Sequence, residues 1–237
     1  MEPELSSHDQ KELKRQHKED DRERQRAAAE HLQRKLQRKN YLLYGLGALL
    51  VLGVVWFLAG GAPFVLEIGD HPWFGPQDGK VEFVVFGDFQ CPFTKKFFLG
   101  AYQQVAKEFG EKIKIAFLPM PTNRHANDRL SAQAAYCAND QGKFWEYAKV
   151  VFERQGRADS ASLVSYAGEL GLDAKKFGEC VQSSKYADKV NADFKAGRKL
   201  GVTVTPTVFV NGNPLYGDLP FEEYKTLIEW ALAQGTM

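Results

Sequence analysis

The sequence has only three cysteines in 237 residues and a net charge of only +1, and both features exclude classes of function. Three cysteines are too few for a disulfide scaffold and lack the spacing of a zinc site. A nucleic-acid surface needs a clear basic excess, which is absent here. The sequence also lacks a phosphate-binding glycine loop and a Ser/His/Asp arrangement. We therefore predict no metal, no cofactor and no nucleic-acid partner.

Charge is missing altogether from Asn40 to Leu66, and residues 41–60 read YLLYGLGALLVLGVVWFLAG. Twenty helical residues span about 30 Å, which is the thickness of the hydrocarbon core of a bilayer. A buried helix of a globular protein is usually shorter and keeps a polar stripe. We therefore predict a transmembrane signal anchor over residues 41–61, in contact with membrane lipid.

Charges on either side of this run predict its orientation. Four basic side chains lie within residues 34–39, whereas the first charges after the run are Glu67 and Asp70. The positive-inside rule then keeps the N-terminus in the cytoplasm and places the C-terminal domain outside it. A cleaved signal peptide is the alternative, but the forty preceding residues argue against it. Residues 1–40 mix charges of both signs and cannot bury a core, so we predict a charged cytoplasmic tail.

Residues 62–237 alternate strand and helix patterns. The run VEFVVFG at 81–87 is typical of a buried strand, residues 92–109 have helical spacing, and 112–118 alternate as a second strand. A strand, a helix and a strand in this order predict a parallel pair with a right-handed crossover.

The remainder of the domain is predicted to be helical from about 123 to 200 and then to return to strands. The sequence NGNP at 211–214 separates two short strand patterns, at 208–211 and 215–216, as a hairpin turn does. Residues 221–233 form a closing amphipathic helix. The sequence thus predicts an α/β domain with an inserted block of helices.

Cys91 lies where the first strand ends and the first long helix begins, in the sequence FGDFQCPFT. Pro92 suits the first helical position, which places Cys91 at the N-cap. Free backbone N–H groups and the helix dipole stabilise a thiolate there, and the thiolate is the nucleophile of disulfide exchange. We predict a catalytic thiol; an inert core cysteine is the alternative.

Three segments together resemble the DsbA-like thioredoxin-fold proteins. FGDFQCPFTKKFF is similar to their active-site segment, whose usual pattern is Cys-Pro-x-Cys. GVTVTPTVFVNG at 201–212 resembles the segment with the cis-proline of that fold, and GKFWEY at 142–147 resembles part of the inserted helical block. The likeness runs from about Gly69 to the C-terminus. It implies a thioredoxin-like fold with a helical insertion over about 123–200.

The resemblance also implies a substrate site around the thiol. Pro206 would follow a cis peptide bond and lie beside Cys91, and the backbone near Thr205 would pair with an extended substrate strand. Pro92 and Phe93 would adjoin the same site.

Thr94 stands where the family has its second active-site cysteine. Cys91 can therefore attack a disulfide but cannot form an internal CxxC bond. The Thr94 hydroxyl either donates a hydrogen bond to the Cys91 sulfur and supports the thiolate, or it remains from a site whose redox function has been lost. The sequence does not separate these two interpretations.

Cys137 and Cys180 lie in the helical block, in contexts where some anchored members of the family pair their cysteines. We expect a structural disulfide, with two free core thiols as the alternative. His125 is interpreted as a surface or capping histidine. Asp88 and Glu67 lie near the strand that leads to Cys91, and either could tune it.

The expected function is thiol–disulfide exchange, of isomerase or reductase type, on exported or cell-surface proteins that contain cysteine, with small thiols as further partners. Two alternatives remain. A catalytically degenerate module would bind peptides or act as a chaperone at the membrane surface, and a glutathione-type enzyme would act on small molecules.

Overall fold

The computed structural model describes residues 34, 35, 37–39, 41, 43–47, 49–55 and 68–234, which fall into two units that are taken separately. In the first unit the described residues are helical, and their large apolar side chains are exposed. No helix among all these residues combines the length and apolarity needed to cross a membrane. The tail residues 1–33, residues 56–61 and Glu67 lie outside the described residues, and the boundaries of the tail and anchor stay predictions.

The second unit is built on one five-stranded sheet with the strand order β1-β3-β2-β4-β5. The two central strands β2 and β3 run parallel, and every other neighbouring pair is antiparallel. The strands are β1 (Trp73–Phe74), β2 (Glu82–Gly87), β3 (Lys114–Pro119), β4 (Thr207–Val210) and β5 (Asn213–Tyr216).

Among the described residues of the second unit, eight helices accompany the sheet. Two connect β2 to β3: α1 (Pro92–Leu99) and α2 (Ala101–Phe109). Five form a block between β3 and β4, and one closes the described chain: α3 (Asp128–Asn139), α4 (Phe144–Glu153), α5 (Ser160–Glu169), α6 (Ala174–Gln182), α7 (Ala187–Lys199) and α8 (Phe221–Gln234). The predicted α/β domain with a block of helices inserted before its last strands is thereby confirmed.

The core covers both faces of the sheet, as the period-two alternation of β2 requires. Phe83 and Val85 point into the larger core, which includes the helical block, whereas Val84 and Phe86 point into a smaller one. Phe117 of β3 packs against aromatic rings from the active-site segment and from α1 and α4, namely Phe89, Phe98, Phe144 and Phe152. This cluster joins the helical block to the segment that precedes Cys91.

The long helix predicted over 92–109 is interrupted in the structure at Gly100. Its backbone torsions (φ −111°, ψ −98°) are not helical, and its N–H donates to the Phe97 carbonyl. A Cβ atom at this position would lie 2.8 Å from the Lys96 carbonyl oxygen, so glycine permits the close turn. The prediction of a single helix was wrong for this reason, and the two-residue strand β1 was not predicted at all.

Candidate active site

Cys91 is the N-cap of α1, and its backbone is held from both sides. Its N–H donates to the Asp88 carbonyl at 3.1 Å, and its own carbonyl accepts from the Lys95 N–H at 3.0 Å. Pro92 is the first residue of α1, a position that proline suits because its φ is preset and its missing N–H would have no helical partner there. The Cys91 thiol therefore lies at the positive end of α1, as the sequence predicted for this position.

The Cys91 thiol faces the loop that precedes β4. The peptide bond between Thr205 and Pro206 is cis, and the Cys91 Sγ donates to the Thr205 carbonyl at 3.3 Å. Cys91 is only 7% exposed, and Thr205 is also buried. The structure thus brings together the thiol and the Thr205-Pro206 pair, which the sequence analysis placed in one substrate site. Pairing of a substrate strand with this backbone stays a prediction.

Two exposed apolar side chains lie close to the buried thiol along the chain. Phe93, on the first turn of α1, is 62% exposed, and Val204, next to Thr205, is 42% exposed. Pro92 is exposed as well. A client segment that reached Cys91 would contact these side chains, because they flank it on both the α1 side and the cis-proline side.

Thr94 is fully buried, and its hydroxyl makes no hydrogen bond to any residue that the structure describes. The hydrogen bond to the Cys91 sulfur that the sequence analysis considered is therefore absent, and the Cys91 thiol donates to the Thr205 carbonyl. The methyl group of Thr94 lies toward Gly87, where an added Cβ would come within 2.8 Å of it. An unpaired buried hydroxyl costs roughly 1–3 kcal/mol, so its position next to a thiol calls for a chemical explanation.

Gln155, in the turn after α4, clamps the active-site segment in a way the sequence did not predict. Its side-chain amide Nε2 donates to the carbonyl of Phe89 at 2.9 Å and to the carbonyl of Cys91 at 3.0 Å. The two acceptors lie on either side of Gln90, so one amide fixes the backbone that leads into α1. No local sequence signal marks Gln155, since it is 64 residues from Cys91.

The other two cysteines form a disulfide with an S–S distance of 2.02 Å, which joins α3 to α6 across 43 residues. Cys137 is buried within α3. Because the sequence contains three cysteines, Cys91 is left as the one free thiol of the chain. No second thiol is thus available within the chain to resolve a disulfide formed at Cys91.

Asp88 directly follows β2, three residues before Cys91, and its carboxylate is buried. Its Oδ1 accepts from the Gln90 N–H at 2.9 Å, and its Oδ2 accepts from the N–H and the hydroxyl of Thr122 at 3.0 and 2.8 Å. His125 lies 3.6 Å away, from its Nδ1 to the Asp88 Oδ2, with about a third of its side chain exposed. His125 is not the cap of α3, because that position belongs to Asn127.

Asp128, the first residue of α3, is a second buried carboxylate beside Asp88. Burial and, after it, the negative charge of Asp88 raise its pKa above the usual value. The backbone N–H groups of Arg129 and Asn123 and the Arg129 charge oppose this rise only in part. Burial and the neighbouring Asp88 carboxylate therefore both disfavour the ionised form of Asp128.

The chain is similar to known proteins in sequence and in fold. The thioredoxin family model matches residues 67–230. Crystallised BdbD from Bacillus subtilis (oxidised) is 25% identical, with a TM-score of 0.63 over 69% of this chain and 93% of that chain. DsbA from Chlamydia trachomatis is 16% identical, with a TM-score of 0.65 over 74% of this chain and 97% of that chain.

Curated sequence relatives are much longer proteins. The Na(+)/H(+) antiporter NhaA of Herminiimonas arsenicoxydans is 30% identical over 178 residues, which are 73% of this chain and 28% of the antiporter. The antiporter NhaA 1 of Salinispora arenicola is 31% identical over 160 residues, 67% of this chain and 24% of the antiporter. The chain thus spans about a quarter of the length of these relatives.

We expect Asp128→Asn to raise the thermal unfolding midpoint of the full chain at pH 7.5 in the presence of EDTA. A raised folded-state pKa means that stability is lost as the pH rises through that pKa, and asparagine keeps the Oδ1 acceptor without the charge. The gain should vanish below about pH 3.9, where the carboxyl is protonated in both states. Asp78→Asn, at an exposed position, is the control. An equal or lower midpoint for Asp128→Asn at pH 7.5 would contradict the raised pKa of Asp128.

Proposed function

Since the chain belongs to the DsbA-like thioredoxin-fold family, we propose that it exchanges the disulfides of exported proteins through the single thiol of Cys91. The family supports thiol–disulfide exchange as the general chemistry and cysteine-containing proteins as the general class of partner. One observation supports the monothiol form: Cys91 is free at the N-terminus of α1 beside the Thr205 carbonyl, while Cys137 and Cys180 are bonded to each other.

The first step is ionisation of the Cys91 thiol. When the proton leaves, the sulfur loses its hydrogen bond to the Thr205 carbonyl and becomes an acceptor. The unpaired backbone N–H groups of the first turn of α1 then face a negative charge. The buried Thr94 hydroxyl, one turn further along, has no partner among the described residues, so a side-chain rotation that brought it to the sulfur would break no existing hydrogen bond. In this proposal the hydroxyl donates to the thiolate and not to the thiol.

In the exchange step the Cys91 thiolate attacks one sulfur of a client disulfide. A bond forms between Cys91 and that sulfur, the client S–S bond breaks, and the other client sulfur leaves as a thiolate that takes up a proton from water. A second client thiolate, or a small thiol, then attacks the client sulfur of the mixed disulfide and releases Cys91 as a thiolate.

This sequence of steps favours isomerisation or reduction over net oxidation. If a client thiolate resolves the mixed disulfide, the number of disulfides is unchanged and only the pairing differs. If two small thiols act in turn, the client is reduced and the small thiols become a disulfide. Net oxidation would require a CxxC disulfide that stores the oxidising equivalent, and Thr94 excludes it.

A binding module without turnover is the second candidate, and burial of the thiol favours it. Cys91 is 7% exposed, whereas the apolar side chains of Phe93 and Val204 beside it are exposed. A protein that only bound unfolded segments would need these two side chains and not the sulfur. The two candidates therefore differ in whether Cys91 is required.

We also propose that residues 41–61 anchor the chain in a membrane, with the thioredoxin-like domain on the extracytoplasmic side. The support is the uncharged apolar run, the preceding basic residues, and the exposure of large apolar side chains such as Tyr44, Leu49 and Leu50 on the described helical residues. Such side chains are stabilised by lipid and not by water.

Replacing Cys91 tests the exchange proposal. We expect the full chain to accelerate recovery of a small protein with scrambled disulfides in the presence of reduced glutathione, and Cys91→Ser to abolish the acceleration. Phe93→Ala is the companion variant, which should weaken the client interaction and leave the thiol chemistry intact. Full activity of Cys91→Ser in preventing client aggregation, with no recovery activity in either protein, would favour the binding module.

Replacing Thr94 tests the role of its hydroxyl. Thr94→Val keeps the shape but removes the hydroxyl, so alkylation of Cys91 at pH 7 should slow roughly tenfold, as expected for loss of a hydrogen bond to a charged group of about 1.5 kcal/mol. The same variant should unfold at higher temperature, because an unpaired buried hydroxyl is gone. Thr94→Ser should alkylate like the parent chain. Equal alkylation rates for all three chains would remove Thr94 from the mechanism.

Membrane association is tested in cells that express the full chain. Alkaline carbonate should leave the chain in the pellet, and protease added outside the cytoplasmic membrane should reach the C-terminal domain. Leu50→Asp should release the chain, because an acidic side chain near the bilayer centre costs about 2.5–3.5 kcal/mol. Extraction of the parent chain by carbonate would overturn the anchor.

A further inference from the structure

Three side chains with metal-ligand atoms converge beside the active-site segment, and the exchange chemistry uses none of them. Asp88 follows β2, His125 lies in the segment between β3 and α3, and Asp128 begins α3. One ligand atom from each lies within 4.8 Å of the other two. Asp88 is 1% exposed and Asp128 is 4% exposed, so both carboxylates are more than nine-tenths buried.

The hydrogen bonds around these groups leave one lone pair free on each. Neither the Asp128 Oδ2 nor the His125 Nδ1 has a hydrogen-bond partner of normal geometry among the described residues. An ionised carboxylate offers about four lone-pair positions, and Asp88 uses three of them, one on Oδ1 for Gln90 and two on Oδ2 for Thr122, so its free position is on Oδ1. Buried polar atoms are normally satisfied, whereas the Asp128 Oδ2 and the His125 Nδ1 are not satisfied by any described residue.

The distance between His125 and Asp88 fits a shared small cation better than a direct contact. The His125 Nδ1 and the Asp88 Oδ2 are 3.6 Å apart, which is too far for a hydrogen bond. Two ligands bound tetrahedrally to one ion at 2.0–2.1 Å would be separated by about 3.3 Å. A movement of a few tenths of an ångström would therefore bring this pair to coordination distance, and the cation would take the place of one of the two Thr122 hydrogen bonds at the Asp88 Oδ2.

The donor set selects the kind of ion. Imidazole nitrogen favours zinc and other first-row transition ions over Mg²⁺ and Ca²⁺, and carboxylate oxygens are common zinc ligands. Of the three residues, His125 lines a cavity of about 490 Å³, together with Gln90, Pro92 and Asn127 among others. Water from this cavity would complete a four-coordinate site.

We propose that Asp88, His125 and Asp128 form a binding site for one divalent first-row cation, of which Zn²⁺ is the representative. The cation lies between the end of β2 and the start of the helical block. Because the Asp88 carbonyl also accepts the Cys91 N–H at 3.1 Å, cation binding holds together the backbone that supports the thiol and the insertion. This proposal does not depend on the exchange activity.

Zinc titration of the purified full chain by calorimetry tests the site. Cys91→Ser is the background for all measurements, since a free thiol also binds Zn²⁺. We expect one Zn²⁺ per chain in this background, and a higher unfolding midpoint with Zn²⁺ than with EDTA. Asp128→Asn and His125→Gln should each weaken Zn²⁺ binding at least tenfold, and Asp78→Asn at an exposed site should leave it unchanged.

A measurement that needs no variant at the three ligands guards against misfolding. In the Cys91→Ser chain labelled with ¹⁵N-histidine, Zn²⁺ should shift the Nδ1 resonance of one histidine, and His71→Gln should leave that resonance in place. Absence of saturable binding, equal binding by the ligand variants, loss of binding in Cys91→Ser, or an unchanged histidine Nδ1 resonance would each overturn the proposal.

Discussion

The contact between the Cys91 sulfur and the Thr205 carbonyl, which joins positions 114 residues apart, depends on the whole architecture. The antiparallel pairing of β2 with β4 places Phe86 opposite Thr207, so the C-terminal end of β2 lies next to the N-terminal end of β4. Five residues after Phe86 the chain reaches the N-cap of α1, and two residues before Thr207 it passes Thr205. The sheet register thus determines what the thiol touches.

The helical block stabilises this arrangement from the other side. The Phe117 cluster packs α4 against Phe89, and the Gln155 amide binds the carbonyls of Phe89 and Cys91. The Cys137–Cys180 disulfide ties α3 to α6 within the block. Since α3 also begins with Asp128 next to Asp88, the block contacts the active-site segment at two places. The insertion is therefore part of the site and not an appendage to the sheet.

Local signals predicted a large share of this structure. The apolar run of β2, the Cys91-Pro92 junction and the Asn211-Gly212 turn each specify backbone geometry within a few residues, and both turn residues have the positive φ that such hairpins need. The pairing of Cys137 with Cys180 was expected from the family resemblance. The break at Gly100 was missed because the apolar spacing continues across it.

Groups that meet only through the tertiary fold could not be predicted from one sequence. Gln155 has no motif, and its role depends on where α4 ends relative to Phe89. Asp88 is separated from His125 and Asp128 by α1, α2 and β3, so spacing along the chain gave no metal signature. The Cys91 thiol donates to the Thr205 carbonyl because the fold places the loop before β4 beside the start of α1. These features depend on long-range packing and not on local pattern.

The proposed exchange requires that the folded chain activate Cys91 as a nucleophile although the sulfur is buried. The most direct measurement is the rate at which the full chain reacts with an aromatic disulfide at pH 6, compared with the same chain unfolded in urea at that pH. We predict one mixed disulfide, mapped to Cys91 by mass spectrometry, that forms faster in the folded chain, with Cys137–Cys180 intact. A folded chain that reacts more slowly than the unfolded one, or only after unfolding, would contradict the account.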